Sequence, residues 1–333
     1  MSVPILGQSE TRALYGMSRR RFLQYLGGTL AGAAAVGVGG YAYATQVEPG
    51  WVSIEQVTLD LPRLAPAFDS FRLVQISDIH LSERLTGEQL AQIVQSIIAL
   101  QPDLVAITGD FVDRVRLLKR SLGELYEALK PLTSETQVVA VLGNHDHWTG
   151  ASEVRAALHK TGVLELPNQV LDLDRDGAHL FIAGVDDVWE GHDRLSRVIG
   201  QIGDKAGAAI LMVHEPDFAD TSRETGRFDL QISGHSHGGQ VVIPFIGPLV
   251  LPRYGEKYPL GLYPLGSMFQ YTNRGLGTVP PRVRFNCRPE VTVFTLKAKT
   301  FIAQTAKTTA RAARRPAHRP KAARLNLVWY ERG

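Results

Sequence analysis

The sequence places aspartate, histidine and asparagine side chains in short polar segments whose chemistry suits metal binding. These segments read Asp78-Ile-His80, Gly109-Asp110-Phe-Val-Asp113-Arg114, Gly143-Asn144-His145-Asp146, the single residue His214, and Gly234-His235-Ser-His237. Carboxylates and imidazoles that converge without thiolates are typical ligands of Mn, Fe or Zn ions. Seven such ligands are too many for one tetrahedral ion, but they suit two ions that share a carboxylate. The sequence therefore predicts a centre for two divalent metal ions.

Each polar segment follows a short apolar run that is typical of a buried β-strand. The runs are residues 71–77, 104–108, 138–142, 209–213 and 229–233. Helical patterns lie between the strands, which predicts an α/β body with parallel strands. Because ligands in such folds bind beyond the carboxyl ends of the strands, we expect the polar side chains to collect on one rim.

Two helix boundaries can be predicted from local sequence. Residues 86–89, Thr-Gly-Glu-Gln, have the pattern of a capping box. Gly162 suits the end of a later helix. The apolar residues that follow the capping box share one helical face, and they are Leu90, Ile93, Val94 and Ile97.

The two-residue spacing within the histidine-containing segments predicts the direction of their side chains. Asp78 and His80 are two positions apart, as are His235 and His237. We expect both members of each pair to face the same side of an extended segment. Glycines at 234, 238 and 239 allow turns that other residues avoid and permit a close approach to a ligand.

The order of the five segments resembles the motif series of the calcineurin-like metallophosphoesterase family, over residues 71–296. The Arg253-Tyr254 region, Asn273-Arg-Gly275 and the 285–290 sequence Phe-Asn-Cys-Arg-Pro-Glu are similar to the bacterial exported or membrane-associated branch of that family. This branch includes phosphodiesterases and UDP-2,3-diacylglucosamine pyrophosphohydrolases. The resemblance implies a four-layer α/β/β/α sandwich built from two mixed sheets.

The resemblance also implies a role for each site residue. The ligands of the first ion would be Asp78, His80, Asp110 and His237. The ligands of the second ion would be Asp110, Asn144, His214 and His235. His145 would face the leaving group, Asp113 would orient His145, and Arg114 would bind phosphate, although Val115 stands where the family has a glycine.

These groups suit hydrolysis of a phosphodiester or pyrophosphate bond. Two cations neutralise the phosphate and lower the pKa of a bridging water, so that hydroxide can attack phosphorus. His145 could donate a proton to the leaving oxygen, with its tautomer held by Asp113. The alternatives are a phosphomonoesterase acting on proteins or small molecules, and a catalytically silent, metal-bound protein that binds the cell envelope.

The N-terminal 44 residues have the parts of an export signal. Ser18-Arg-Arg-Arg-Phe-Leu-Gln24 resembles the twin-arginine signal, and an uncharged run from Phe22 to Val47 follows it. The small residues around Ala44 would permit cleavage there, while the length of the run would also permit an uncleaved anchor. We therefore expect recognition by the twin-arginine export machinery. The protein would then lie in the periplasm or on the outer face of the cytoplasmic membrane.

Charge is distributed unevenly along the 333 residues. The chain totals +3, while residues 1–44 hold +3 and residues 297–333 hold +9, so the middle carries −9. An acidic catalytic domain, residues 45–296, argues against nucleic acid as a partner. The basic segment 297–333 is predicted to be a disordered tail, with attraction to anionic lipid or cell-wall polymers as the alternative.

A very apolar, proline-rich segment follows the last histidine pair, at residues 241–252. Its prolines argue against a continuous helix or a central strand. Either it packs on the core as a loop, or it forms a lip beside the metals that touches a membrane or holds an acyl chain. The second alternative predicts a lipid-linked or cell-envelope substrate.

The sequence contains a single cysteine, Cys287, which excludes an intramolecular disulfide and is expected to be buried. The histidines outside the five segments are interpreted as exposed or structural, and they are His147, His159, His179, His192 and His318.

Overall fold

The computed structural model describes residues 19–113, 116 and 118–299. The described helices are α1 (Arg19–Ala42), α2 (Gly87–Ala99), α3 (Leu118–Glu135), α4 (Asn144–Thr161), α5 (Leu195–Ile202) and α6 (Ala219–Glu224). The first seven strands are β1 (Ser53–Leu61), β2 (Phe71–Ile76), β3 (Leu104–Thr108), β4 (Val138–Val141), β5 (Leu164–Glu165), β6 (Gln169–Arg175) and β7 (Ala178–Gly184). The remaining strands are β8 (Ala208–Met212), β9 (Leu230–Ser233), β10 (Val242–Ile243), β11 (Gly247–Pro248), β12 (Gly261–Leu265), β13 (Met268–Thr272) and β14 (Glu290–Ala298).

Two six-stranded mixed sheets make up the body. The first sheet has the order β1-β14-β2-β3-β4-β5, and the second has the order β12-β13-β9-β8-β7-β6. In the first sheet, β2, β3 and β4 run parallel, while β14 is antiparallel to β2. In the second, β7, β8 and β9 run parallel, while β6 and β12 are antiparallel to their neighbours. The predicted fold class of two mixed sheets is confirmed.

Three apolar clusters separate four layers. Leu73, Val139, Ile210 and Ile232 belong to the cluster between the two sheets. Helices α2, α3 and α4 bury their apolar faces on the other side of the first sheet. Helix α5 packs on the far side of the second sheet through Val198 and Ile202. Alternating strand residues thus face two different cores, which is why the strands are apolar on both faces.

The predicted helix boundaries agree with the structure. Thr86 caps α2, because its side chain accepts from the Gln89 backbone while the Gln89 side chain accepts from Thr86. Gly162 ends α4 in the left-handed region, with φ of 95°. Among the four apolar residues predicted on one face of α2, Leu90, Val94 and Ile97 are fully buried, and Ile93 packs against the same cluster.

The N-terminal helix and the body form separate units, divided between Tyr43 and Ala44. Helix α1 contains no buried residue. The stretch Arg19–Gly50 is long and apolar enough to cross a membrane, a property that a signal sequence near an N-terminus shares. At the other end, β14 runs to Ala298, so Lys297 and Ala298 of the predicted tail belong to the first sheet. Lys299 follows the strand and is exposed, and residues 300–333 of that tail lie outside the described residues.

The apolar segment forms a short hairpin that projects from the body. Strands β10 and β11 pair Val242 with Pro248 and Ile243 with Gly247, and we call residues 241–252 the apolar hairpin. Phe245, at the tip, is fully exposed, and the exposed fractions of the other large side chains are 75% for Ile246, 58% for Leu249 and 76% for Val250. Packing of these side chains on the core, one of the two alternatives for this segment, is therefore wrong. Cys287 is buried, as predicted.

Candidate metal centre

The polar segments after five strands meet at one place, because the carboxyl ends of the parallel strands of both sheets lie there. Residues 78–80, 109–113 and 143–146 follow β2, β3 and β4 of the first sheet, while 214 and 234–237 follow β8 and β9 of the second. Gln75 joins the sheets beneath this edge: its side chain donates to Thr108 Oγ1 and to the Ser233 backbone oxygen. The edge therefore combines residues from both sheets.

Asp110 occupies the middle of the cluster. Its Oδ2 lies 3.2 Å from His80 Nε2 and 3.2 Å from His214 Nε2. Asp78 Oδ1 lies 3.3 Å from His237 Nε2. Two sets of side chains have ligand atoms within 4.8 Å of one another and share Asp78, and they are Asp78, His80, His237 and Asp78, Asp110, His214. The geometry suits two ions with Asp110 between their histidine ligands.

Backbone carbonyls fix which nitrogen of two histidines can bind a cation. His214 Nδ1 donates to the Thr108 backbone oxygen at 2.7 Å, which leaves the Nε2 lone pair facing Asp110. His235 Nε2 donates to the Arg253 backbone oxygen at 2.8 Å, which leaves Nδ1 as its free lone pair. Partners of this kind orient metal-binding imidazoles and set their tautomers.

The side-chain oxygen of Asn144 has an unmet bonding requirement. Asn144 is 2% exposed, and no hydrogen-bond donor among the described residues reaches its Oδ1. A buried carbonyl oxygen without a donor costs free energy unless a cation or water satisfies it. This donor set of carboxylate, amide oxygen and imidazole fits a divalent transition metal.

The electrostatics of the cluster favour bound cations. Burial alone would lower the pKa of His214, but the negative charges of Asp110 and Asp78 outweigh it and raise that pKa well above its usual value. The pKa of His80 is raised in the same way. Burial would raise the pKa of Asp110, yet the neighbouring histidines hold it well below its usual value. Asp110 therefore stays ionised and attracts positive charge, whereas burial raises the pKa of Asp78.

The backbone brings the ligands together through left-handed turns. Five of the seven candidate ligands have positive φ: 47° for Asp78, 42° for His80, 57° for Asp110, 70° for His235 and 52° for His237. The expectation that Asp78/His80 and His235/His237 lie on extended segments, with both members of each pair on the same side, is therefore wrong about the extended backbone. Non-glycine residues rarely adopt this conformation, and such strain clusters at functional sites.

Glycines leave space for the carboxylates. A side chain at Gly234 would overlap Ser77 Oγ and Asp78 Oδ2, and one at Gly143 would overlap Asp110 Oδ1. Gly275, with φ of 72°, faces Asp78 so closely that a Cβ would lie 2.6 Å from the Asp78 Cβ. The expectation that these glycines permit close approach or unusual turns is thus confirmed. Gly234 permits the close approach, and Gly238 and Gly239 adopt positive φ.

The sequence profile of calcineurin-like phosphoesterases matches residues 71–239. This chain belongs to that family. It is therefore a hydrolase of phosphoric ester bonds. The family uses a dinuclear divalent metal centre, and the candidate ligands include Asp78, His80, Asp110, His214 and His237.

Several named proteins are similar to this phosphoesterase over most of its length. The uncharacterized metallophosphoesterase YkuE of Bacillus subtilis is 37% identical over 285 residues, covering 85% of this chain and 98% of YkuE. Phosphodiesterase YaeI of Escherichia coli is 29% identical over 287 residues, covering 84% of this chain and 99% of YaeI. A bovine transmembrane protein with a metallophosphoesterase domain is 28% identical over 265 residues, covering 74% of this chain and 57% of that protein.

In this phosphoesterase, His145 lies in the first turn of α4, at the edge of the cluster. Its backbone N–H donates to Asp110 Oδ1 at 2.9 Å. Its ring meets His80 edge-on, with centroids 4.7 Å apart, and lies 5.0 Å from the Trp148 ring. Burial lowers the pKa of His145, which favours the neutral ring near neutral pH. His145 also shares a possible ligand group with His80 and Asp110.

Asp113 lies on the His80 side of the site. Its Oδ1 is 3.8 Å from His80 Nδ1, and its other oxygen pairs with Arg282. The predicted role of Asp113 in orienting His145 stays a prediction. Arg114, predicted to bind phosphate, lies outside the described residues.

Asp146 has a positioning role that the sequence interpretation did not assign. Its carboxylate accepts from the backbone N–H groups of Gly143, Phe111 and Val112, at 3.1, 2.9 and 3.2 Å. Burial raises its pKa to about 7, helped by the charge of Asp110. Asp146 thus ties the segment after β3 to the segment after β4. Its place at the third position of a helix could have suggested the Gly143 contact.

A cluster of aromatic side chains beside the site, formed by Trp148, Trp189 and Tyr254, was also not predicted from the sequence. The Trp189 ring meets the rings of His235 and Tyr254 edge-on, with centroids 5.6 and 6.1 Å apart. Trp148 meets Trp189 at 5.6 Å, and its indole N–H donates to Glu190. Trp148 and Trp189 lie 41 positions apart in the sequence, so no local pattern predicts their contact.

Proposed function

We propose that this protein hydrolyses a phosphodiester or pyrophosphate bond with two divalent metal ions, Mn, Fe or Zn. The observation that carries the proposal is the position of Asp110 Oδ2, 3.2 Å from both His80 Nε2 and His214 Nε2. A carboxylate there suits both ions at once. The first ion would take Asp78, His80, Asp110 and His237. The second would take Asp110, Asn144, His214 and His235.

The two ions would supply charge neutralisation of the phosphate and activation of water. Asn144 contributes an uncharged oxygen, so the ligand set carries less negative charge than it would with a third carboxylate. His145, at the edge of the cluster, can donate an N–H to a phosphoryl oxygen or to the leaving oxygen. Asp113 would assist by orienting His145, and its negative charge acts on that ring.

A diester or pyrophosphate substrate is favoured over a monoester by similarity. The relative YaeI, which aligns over 99% of its length, bears the name phosphodiesterase. We expect purified protein to hydrolyse bis-p-nitrophenyl phosphate faster than p-nitrophenyl phosphate, with Mn²⁺ increasing the rate and a chelator abolishing it. Preference for the monoester would favour a phosphomonoesterase. Absence of chelator-sensitive hydrolysis of either compound would favour a catalytically silent envelope-binding protein.

The natural substrate is proposed to be lipid-linked or part of the cell envelope. The apolar hairpin begins four residues after His237, and the hydrogen bond from His235 to the Arg253 backbone oxygen holds its other end. An apolar surface that continues from the metal site suits a substrate with acyl chains. Changing Phe245 and Ile246 to serine should reduce turnover of a lipid phosphodiester several-fold more than turnover of bis-p-nitrophenyl phosphate. Equal losses on both would contradict the proposal.

We propose that the twin-arginine pathway exports the protein and that the N-terminal helix stays attached. Ala44 and Thr45, which flank the possible cleavage point, are 9% and 6% exposed. The Ala44 backbone oxygen accepts from the Arg284 N–H at 2.9 Å. Cleavage requires an accessible segment, so a packed one supports retention. The name of the bovine relative, a transmembrane protein, supports a membrane location.

The location can be tested in cells. Changing Arg19 and Arg20 to lysine should keep the protein in the cytoplasm. The exported protein should show the intact N-terminal mass in the membrane fraction. A soluble exported chain that begins at Thr45 would contradict retention.

A further inference from the structure

The apolar hairpin exposes a continuous uncharged surface. Residues 241–252 contain no charged side chain. The tip residue Phe245 is fully exposed with φ of 68°, and Ile246 beside it is 75% exposed. Soluble proteins rarely leave such side chains grouped in water, and exposed apolar patches of this kind mark sites of contact with membranes or other proteins.

The base of the hairpin lies beside the point where the chain joins the body. The Val242 N–H donates to the Phe285 backbone oxygen at 2.9 Å. The preceding residue, Arg284, donates its N–H to the Ala44 oxygen. The following residue, Asn286, donates its N–H to the Glu48 carboxylate at 3.0 Å. One strip of three residues therefore holds both the hairpin and the first residues after the N-terminal helix.

Exposed apolar and cationic groups also lie next to this strip and at the far end of the hairpin. Val47 is 50% exposed and Trp51 is 52% exposed. The Arg288 guanidinium lies over the Trp51 ring, 4.2 Å from its centroid. Arg253, exposed at the end of the hairpin, stacks on Tyr254 at 4.4 Å. Tryptophan and arginine together are typical of the boundary between lipid tails and headgroups.

We infer that the apolar hairpin is a membrane-docking element that inserts Phe245 and Ile246 into a phospholipid bilayer, with Trp51, Arg288 and Arg253 at headgroup level. A bilayer is favoured over a second copy of the chain because the hairpin base adjoins the attachment of a helix long enough to span a membrane. Docking would set the metal cluster close to the lipid headgroups, since His235 is hydrogen-bonded to Arg253. The inference concerns membrane contact and does not depend on the proposed substrate.

Site-directed fluorescence can detect the contact directly. The only cysteine in the sequence, Cys287, is buried, so a cysteine introduced at an exposed position can be labelled selectively. Full-length Ile246→Cys, labelled with an environment-sensitive dye, would be reconstituted in phosphatidylglycerol/phosphatidylethanolamine vesicles. Asp204→Cys is the matched control, because residue 204 is exposed and precedes β8, at the edge of the second sheet opposite the metal cluster.

We expect lipids with nitroxide groups on their acyl chains to quench the dye at position 246 at least threefold more than the dye at position 204. Equal quenching at the two positions would overturn the inference. A dye at position 246 that is shielded from aqueous iodide but unaffected by the lipid quencher would also overturn it, in favour of a protein partner or a second copy.

Discussion

The Nε2 atoms of His80 and His237 lie 3.1 Å apart, although the residues are separated by 157 positions in the chain. His80 follows β2 in the first sheet, and His237 follows β9 in the second. Two ring nitrogens at this distance can share at most one proton, so their convergence next to Asp78 suits a shared cation. The contact shows how closely the two sheets approach at the candidate metal centre.

Changing Asp110 to asparagine should disrupt both metal positions, because its Oδ2 faces a histidine of each. We expect bound metal to fall from about two ions per chain to one or none, and hydrolysis of bis-p-nitrophenyl phosphate to fall by more than about 10²-fold. Metal analysis by mass spectrometry and steady-state kinetics measure the two effects. Full metal content in the variant would contradict the bridging position of Asp110.

Changing His145 to alanine should separate metal binding from turnover. The ring lies at the edge of the cluster, so the variant should keep its metal while turnover falls by about 10²- to 10⁴-fold, the usual contribution of a general acid. His159→Ala is the control, since His159 is exposed on the same helix. A metal-free His145→Ala protein would show instead that His145 is a metal ligand. His145, His80 and Asp110 do form one group whose atoms could hold an ion.

Changing Gly234 to alanine should damage the site through steric overlap alone. The new methyl group would overlap Ser77 Oγ and Asp78 Oδ2, and it would lie 2.8 Å from Ser77 Cβ. Ser77 cannot move freely, because it donates to the Thr108 backbone oxygen. We expect a loss of about 1–3 kcal/mol in the free energy of unfolding, measured in urea, together with weaker metal binding.

Gly123→Ala provides the matched control for that substitution. Gly123 lies in α3, is exposed, and has open space where a Cβ would stand. Alanine there should stabilise the protein by about 0.5–1 kcal/mol without changing its metal content. If Gly234→Ala behaved like Gly123→Ala, the close packing around Asp78 would be excluded as the reason for glycine at 234.

The ion pair of His147 and Asp186 should make stability depend on pH above neutrality. Burial acts to lower the pKa of His147, but the hydrogen bond and charge of Asp186 outweigh it and raise the pKa above 6.5. The stabilisation is therefore complete below pH 6.5 and is lost as pH rises through the raised value. The pKa of Asp186 is lowered despite burial, so its own contribution stays constant over this range.

Urea unfolding in the presence of chelator would test this pH dependence. Wild type should exceed His147→Asn in the free energy of unfolding by about 1 kcal/mol at pH 6, and by less at pH 9. His159→Asn should show no such change between the two pH values. A difference that grows with pH would contradict the sign derived from the raised pKa of His147.

Sequence patterns predicted the strands well because a strand that is buried on both faces is a continuous run of apolar residues. The predicted runs 71–77, 104–108 and 138–142 correspond to β2, β3 and β4 with ends that differ by one residue at most. The side chains available for metal binding could be identified as well, since their types follow directly after those strands. The role of Asp146 could not be predicted, because its contacts with Phe111 and Val112 join segments that are distant in the sequence.

The sequence by itself determined which side chains follow the strands, where α2 begins and where α4 ends, because caps and buried strands depend on neighbouring residues. Only the tertiary structure decided that Asp78 and His80 adopt left-handed backbone, that His80 meets His237, and that Phe245 is exposed rather than packed on the core. These features depend on contacts between distant segments. Such contacts are set by how the two sheets pack face to face, and no local pattern records that packing.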